Sequence, residues 1–483
     1  MVLIEPESVA KIDAACVASG IPGFRLMTAA GFAVAASALR HFPGARRFVV
    51  LAGPGNNGGD AYIAAGALKE AGAAVEVFQM KPDRPSTDDA ARALAECCIA
   101  AKTMDAYEPA EGDVVIDGVF GAGLSRDVPS ELAALIAKIE PPRIPVLAID
   151  LPSGIDGHTG QVLGAAFKAD VTVTFMALKP GMLLLPGREH CGKVEVAEIG
   201  VPKRLIEAHQ SNVRINGPEI WKAYQHPHDA SAHKYSRGAL AVFSGGASHT
   251  GAARLTAAAG LKAGAGLVTI ASPAEAMEIN ATHLTAIMLR DIDDIGELNA
   301  WLEDKRLSTF VLGPSFGVGA KARDFVLALR DRRLVLDADG ITSFKDDPGI
   351  LFNAFATGEP HLILTPHEGE FRRLFANIAD DARLSKVDKA IAAARRANAA
   401  IIYKGSDTVI AGPDGRAAVN TNAPPSLATA GSGDVLAGIC GALLAQGYPA
   451  FEAACAAVWH HGDAAKRAGD GLTAETLVEN VRC

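Results

Sequence analysis

Short apolar, β-branched runs alternate with Ala-rich stretches through the first two hundred positions of the chain. FVVLAG (48–53), VEVFQM (75–80), VVIDGVF (114–120), VLAID (146–150) and VTVTFM (171–176) are mostly continuous rather than alternating. Runs of that kind belong to strands covered on both faces. Between them YIAAGALKEAG (62–72) and SELAALIAKI (130–139) carry apolar residues at helical spacing. Repeated strand–helix units predict a doubly wound α/β domain with a mostly parallel sheet.

From about 207 to 238 the period is lost in a polar stretch that includes His226, Pro227 and His228, which reads as an inter-domain connection. The expected domains are 1–212 and 225–483. A second α/β series starts at GALAVFSGG (238–246) and continues through LVTIAS (267–272), FVLGPS (310–315), LVLDAD (334–339), LILTPHEGE (362–370) and IIYKG (401–405). Residues 408–420 read as a hairpin turning at Asp414-Gly415, and two helices are predicted at 433–446 and 451–468.

Composition narrows the possibilities. The 483 residues include 49 glycines, above the usual share of ~7%. Lys plus Arg number 46 against 55 Asp plus Glu, a net charge of −9. That balance argues against binding a nucleic-acid backbone, and Trp221, Trp301 and Trp459 are not interleaved with basic residues as a stacking platform requires. No apolar run approaches the ~20 residues that span a bilayer, and the start of the chain, with Glu5, Glu7, Lys11 and Asp13, has no signal-peptide core. Seven cysteines without C-x-x-C spacing fit a reducing cytoplasm.

The segment Gly53-Pro54-Gly55-Asn56-Asn57-Gly58-Gly59-Asp60 follows a buried strand and opens a helix, so its amides can face an anion. It fits G-x-G-x-x-G, a pattern also met in ligand-free Gly-rich turns. The next strand ends in Gln79 and Met80 rather than the acid of a dinucleotide fingerprint. Asp117 and Asp150 each close a strand before a Gly-containing loop, either as turn caps or facing the same crevice as the glycine loop. With Asn57 and Ser153 they supply oxygen ligands, and carboxylates beside a phosphate call for a cation.

GPGNNGGD, DGVFGAGL, AIDLPSGID and FMALKPG together resemble the NAD(P)H-hydrate epimerase domain over about residues 1–212. The resemblance implies that Asn56, Asn57, Gly58, Gly59 and Asp60, with Gly121, Ala122, Gly123, Leu124, Ser125, Arg126 and Asp127, bind a hydrated dinucleotide. It also implies that Asn57, Asp117 and Ser153 hold a potassium ion and that Asp150 is the acid/base at the hydrated ring. Lys179, before Pro-Gly, reads as a weaker candidate whose ammonium can simply be solvated.

In the second series, Thr429-Ala430-Gly431-Ser432-Gly433-Asp434 precedes the apolar helix VLAGICGALLAQG. Amides at a helix N-terminus beside a carboxylate can stabilise a transferring phosphoryl group and align an attacking hydroxyl. The other reading is a Gly-rich helix start whose Asp434 favours the helix dipole. These residues resemble the ribokinase-like superfamily, and HKYSRGALAVFSGG, LKAGAGLVTIAS, LDADGITSF, LTPHEGEF, YKGSDTVI and ATAGSGDVLAG resemble the ADP- or ATP-dependent NAD(P)H-hydrate dehydratases over about 230–480. That resemblance implies adenine-nucleotide contacts at Lys404, Gly405, Ser406, Asp407, Thr408 and Gly433, a catalytic base at Asp434, and substrate contacts at Ala253, Gly317, His367 and Asp434. The chain departs from the family where Gly-Pro-Gly-Leu-Gly is Gly313-Pro314-Ser315-Phe316-Gly317, and where Thr342 replaces an Asn. Substrate affinity is what those changes touch. His460-His461 lie about 100° apart on a helix and fit packing better than a metal site.

The expectation is a Rossmann-like doubly wound domain followed by a ribokinase-like α/β domain. The first would epimerise hydrated NADH or NADPH, and the second would dehydrate the S epimer with ADP or ATP. Potassium and magnesium ions are the expected cofactors. The partners would be these hydrates and an adenine nucleotide, with no nucleic acid and no membrane, in a cytoplasmic homo-oligomer. The rivals are a small-molecule kinase and, for the first domain, a ligand-sensing module.

Overall fold

The computed structural model describes residues 3–80, 87–225 and 237–483. His226, Pro227 and His228 lie outside the described residues. The chain divides into two compact units, Met1–Asn212 and Val213–Cys483.

The first unit holds strands β1 (Arg47–Ala52), β2 (Val75–Gln79), β3 (Ala101–Thr103), β4 (Asp113–Gly118), β5 (Val146–Ile149), β6 (Val171–Phe175) and β7 (Lys193–Ala197). They form one parallel sheet in the order β3-β2-β1-β4-β5-β6-β7. The order reverses between β1 and β4, and a crevice forms at the carboxyl ends of such a pair. The central strands are buried on both faces, as their unbroken apolar runs require. Edge strands β3 and β7 are largely solvated and have no such run, so their sequences do not announce them. The helices Pro6–Ala18 and Gly23–His41 were likewise not anticipated, although Leu26, Met27, Ala30 and Val34 recur at helical spacing and enter the core.

The second unit contains β8 (Val213–Ile215), β9 (Ala239–Phe243), β10 (Leu267–Ser272), β11 (Met288–Asp291), β12 (Thr309–Leu312), β13 (Arg333–Leu336), β14 (Leu362–Leu364), β15 (Ala400–Tyr403), β16 (Val409–Ala411) and β17 (Ala417–Val419). The sheet order is β11-β10-β9-β12-β13-β14-β15-β16-β17-β8, parallel from β11 to β15. The predicted hairpin is β16–β17, closed by the Gly412 to Arg416 hydrogen bond, with Gly415 at φ +89°. The helix Ser432–Ala445 is buried all round from Val435 onward, which suits its lack of polar positions.

One expectation needs correction. Part of the polar connection belongs to the second unit: Val213–Ile215 pairs with β17 as an edge strand, and Trp221 is 1% exposed within that unit's core. A strand of three residues and a single aromatic anchor are too short to impose a period.

Candidate active sites

The first site is set by close packing after β1. A Cβ on Gly53 would collide with the Val119 carbonyl beyond β4, and one on Gly58 would collide with the Gly53 carbonyl. Only glycine lets the loop close this tightly, which turns the first amides of the helix Asn56–Glu70 toward the carboxyl ends of β1 and β4. Asn56 is exposed, and its Oδ1 accepts from Thr87 Oγ1 at 2.5 Å. Asn57 Oδ1 and Asp150 Oδ2 both flank Gly121, at 3.3 and 2.8 Å from where a Cβ would stand.

Asp150 follows β5 at φ +65° and accepts from Lys179 Nζ at 2.5 Å, Ala122 N at 2.9 Å and Thr174 Oγ1 at 3.2 Å. Burial pushes its carboxyl up, but the Lys179 charge and these donors outweigh burial and hold it below the usual range. Lys179 is not a solvated side chain: it is 0% exposed and donates to Thr174 Oγ1 at 2.7 Å as well. The Lys-Pro-Gly turn directs the side chain inward, a direction no sequence pattern carries. Asp60 is buried nearby, and its carboxyl is pushed well above the ordinary value by burial, then by Asp150 and Asp13.

Asp117 does not face the crevice as expected. It is 0% exposed and caps the Ser153 turn, accepting from Ser153 Oγ at 2.6 Å, Ser153 N at 2.7 Å and Val119 N at 3.3 Å. Among the described residues it has no cationic partner, and burial, only partly offset by these donors, raises its carboxyl to about 6. An uncompensated buried carboxylate favours a cation. Asn57 Nδ2 is also buried without an acceptor, and turning that amide over would present Oδ1 instead. Asn57, Asp117 and Ser153 are the residues here that could offer oxygens to a cation. In the loop after β4, Gly123, Ser125, Arg126 and Asp127 are exposed, Gly121 and Leu124 are half-buried, and Ala122 is buried.

The second site lies at the carboxyl ends of β13 and β15. Lys404, just after β15, donates to Asp337 Oδ1 at 3.0 Å, and Asp337 also accepts from Thr365 Oγ1 at 2.6 Å. Gly433 stands over this pair, with Lys404 Nζ 3.6 Å and Asp337 Oδ2 3.8 Å from its Cβ position. Asp434 is half-buried in the first turn of the helix Ser432–Ala445, and burial, then Asp337, raise its carboxyl to about 6 against the opposing pull of Lys404. His461 Nε2 lies 2.9 Å from the Ser432 carbonyl, and burial lowers its imidazole to about 4, so a neutral ring braces the glycine loop. His460 packs against Trp221 and Trp459.

Asp337 was missed as a site residue, although it closes the LVLD run as Asp150 closes VLAID. Asp407 is 7% exposed and accepts from Lys386 Nζ at 2.5 Å, so it braces the 404–408 loop from within. Thr408 Oγ1 donates to the Gly405 carbonyl at 2.7 Å, while Gly405 and Ser406 are exposed. His367 caps the helix Glu368–Leu374, its Nδ1 accepting from Gly369 N at 3.0 Å, and its ring remains exposed. Gly317 is exposed and donates its N–H to Asp339 Oδ2 at 3.0 Å. Ala253 is fully buried, so a ligand would meet the first-turn N–H of its helix rather than its side chain.

These geometries define an α/β protein of two units, a doubly wound parallel sheet followed by a second, mostly parallel α/β unit, each with a glycine-rich helix start beside a lysine–carboxylate pair. Family models match at residues 23–181, described as YjeF-related protein N-terminus, and at residues 240–481, described as NAD(P)H-hydrate dehydratase. The bifunctional NAD(P)H-hydrate repair enzyme of Thermofilum pendens is 35% identical, over 94% of this chain and 90% of that protein. The one of Gloeobacter violaceus is 35% identical over 98% of this chain and 96% of that protein. A solved structure of the ADP/ATP-dependent NAD(P)H-hydrate dehydratase of Bacillus subtilis, co-crystallised with ATP and magnesium, is similar at a TM-score of 0.46 and 24% identity, covering 56% of this chain and 96% of that one. The chain belongs to the bifunctional NAD(P)H-hydrate repair enzymes.

Proposed function

We propose that the first unit interconverts the two epimers of hydrated NADH or NADPH and that the second dehydrates the S epimer with consumption of ADP or ATP. The observation that carries this reading is Asp434, raised to about 6 beside the half-buried helix start of Gly431 to Gly433 and the Lys404–Asp337 pair. A carboxylate with a value near neutrality can both ionise and accept a proton efficiently.

In the second unit Asp434 takes the proton of the substrate hydroxyl as its oxygen attacks the terminal phosphorus of the nucleotide and the phosphoanhydride bond breaks. The helix amides and Lys404 stabilise the charge on the phosphoryl oxygens. Phosphate then leaves with the C–O bonding pair, pushed by the ring-nitrogen lone pair, and loss of the neighbouring carbon's proton restores the nicotinamide double bond. Among the described residues no group of three or more His, Cys, Asp or Glu is placed to hold a metal. Magnesium would therefore take most of its oxygens from the nucleotide phosphates.

In the first unit the Asp150–Lys179 pair lends and recovers the proton as the hydroxyl departs as water and water returns to the other face of the planar ring cation. Potassium, held by Asn57, Asp117 and Ser153, would offset the buried negative charge of Asp117. The reading also places the enzyme in the cytoplasm as a homo-oligomer. Among the described residues no helix is long and apolar enough to cross a membrane.

The test is Asp434→Asn, which keeps shape but cannot accept the proton. Dehydration of hydrated NADH should fall by about 10²- to 10⁴-fold with nucleotide binding nearly intact. Near-normal turnover would remove Asp434 from the mechanism. A stable phosphorylated product from the native enzyme would mark a kinase instead.

A further inference from the structure

Along the carboxyl edge of the second sheet lies a cavity of about 460 Å³ whose lining includes Ser244, Gly246, Glu275, Asp293, Phe316 and Lys321. None of these residues has a part in the chemistry above. They follow β9, β10, β11 and β12, whereas Asp337 follows β13. These strands stand one to four places from β13, so with neighbouring strands ~4.8 Å apart the middle of the cavity lies about 12 Å along the sheet from Asp337. The two are linked through the backbone: Phe316 is followed by Gly317, which bonds to Asp339, two residues beyond Asp337. That separation suits the far half of an extended dinucleotide whose hydrated ring meets Asp434.

We infer that this cavity takes the adenosine half of the substrate and that its charges favour hydrated NADH over hydrated NADPH; the inference rests on the dehydratase reading of the second site. Phe316 is half-buried and held at 5.9 Å from Phe243 and 5.4 Å from Phe325. It offers a fixed aromatic surface to a purine where the family pattern has a leucine. The two substrates differ only at the adenosine ribose, which carries a vicinal diol in one and a 2′-phosphate in the other. Carboxylates accept hydrogen bonds from a diol and repel a phosphate. The lining sets two carboxylates, Glu275 and Asp293, against one ammonium, and Lys321 Nζ is already 3.3 Å from Asp293 Oδ1. Glu275 lies against Gly246, where any Cβ would collide with its carboxylate. The glycine therefore leaves room for the acid in this position.

The experiment measures initial dehydration rates of the full chain with saturating ATP on each hydrate separately. The native enzyme should favour hydrated NADH in kcat/KM by about tenfold or more, through KM, since hydrogen bonds to charged groups have that worth. Glu275→Gln with Asp293→Asn, both at exposed positions, should remove most of the preference, chiefly by raising KM for hydrated NADH. Phe316→Leu should raise KM for both hydrates alike. Equal or inverted preference in the native enzyme, or full preference in the double variant, overturns the assignment. Turnover of neither hydrate by the native enzyme overturns the dehydratase reading itself, and this assignment with it.

Discussion

Replacing Lys179 by methionine removes the ammonium that faces Asp150 across 2.5 Å and keeps most of the side-chain volume. Lys179 is 0% exposed, and the Asp150 side chain is 14% exposed, so water cannot take over the lost partner. Breaking one half of a buried pair costs about 3–5 kcal/mol. For a unit of this size that lowers Tm by about 6–20 °C. The sign with pH follows from Asp150, whose carboxyl is held below the usual range although burial alone would raise it. In the native protein that depression contributes stability above the unfolded carboxylate value, and this contribution is lost as pH falls through the folded one. Without Lys179 the burial effect prevails and the Asp150 value rises. The variant should then suffer most at neutral pH and least in mild acid, where Asp150 takes up a proton. Calorimetry of the full chain at pH 7 and pH 5, following the transition of the first unit, measures both quantities. Asp150→Asn introduced into the Lys179→Met background should recover part of the loss by removing the unpaired charge, giving a double-mutant coupling above 1 kcal/mol. A Tm unchanged at pH 7, or additive effects of the two substitutions, would refute a buried, coupled pair.

The dehydration rate should show an acid limb near pH 6, falling as Asp434 gains its proton, and Asp337→Asn should move that limb to lower pH by removing a carboxylate that raises Asp434; a limb unmoved in a pH–rate profile counts against this coupling. Epimerisation should need a cation of potassium size, and exchange at full rate in potassium-free buffer, followed by separation of the two epimers, would contradict the role given to Asn57, Asp117 and Ser153. Expressed as residues 1–212 and 213–483, the two units should fold and work separately, the first exchanging epimers without nucleotide and the second stalling near half conversion of a mixed pool. A second fragment beginning at 225 loses β8 and Trp221, and should melt at least several degrees lower, because removing a buried Trp costs about 3–5 kcal/mol.

Much of this arrangement was legible from residue pattern. Central strands declare themselves because burial on both faces demands an unbroken apolar run, and the glycine loops because only glycine permits the approaches at Gly53 and Gly58. What escaped has a physical reason in each case. Edge strands β3, β7 and β8 meet solvent and need no such run. Lys179 looked solvated because its burial depends on Asp150 and Thr174, one of them 29 residues away in the chain. Asp117 and Asp150 end strands in the same way, yet one turns into the crevice loop and the other caps Ser153, a choice made by tertiary partners alone.

The two units set a lysine beside strand-end carboxylates to opposite ends. In the first, Lys179 bonds directly to Asp150 and lowers it, so this carboxylate stays ionised next to Asp60, whose own carboxyl is raised. In the second, the direct hydrogen bond of Lys404 goes to Asp337, and its pull on Asp434 is weaker than the push of burial and of Asp337. Asp434 therefore rises toward neutrality, and Lys404 itself, though burial opposes its charge, is held ionised chiefly by Asp337. Which carboxylate receives the lysine thus decides whether the strand-end or loop carboxylate beside it sits low and ionised, as Asp150 does, or near neutrality, as Asp434 does. Neutralising Asp337 frees Lys404 to approach Asp434. That approach and the lost repulsion act in the same direction, so the shift in the acid limb should exceed what removal of one distant charge would produce.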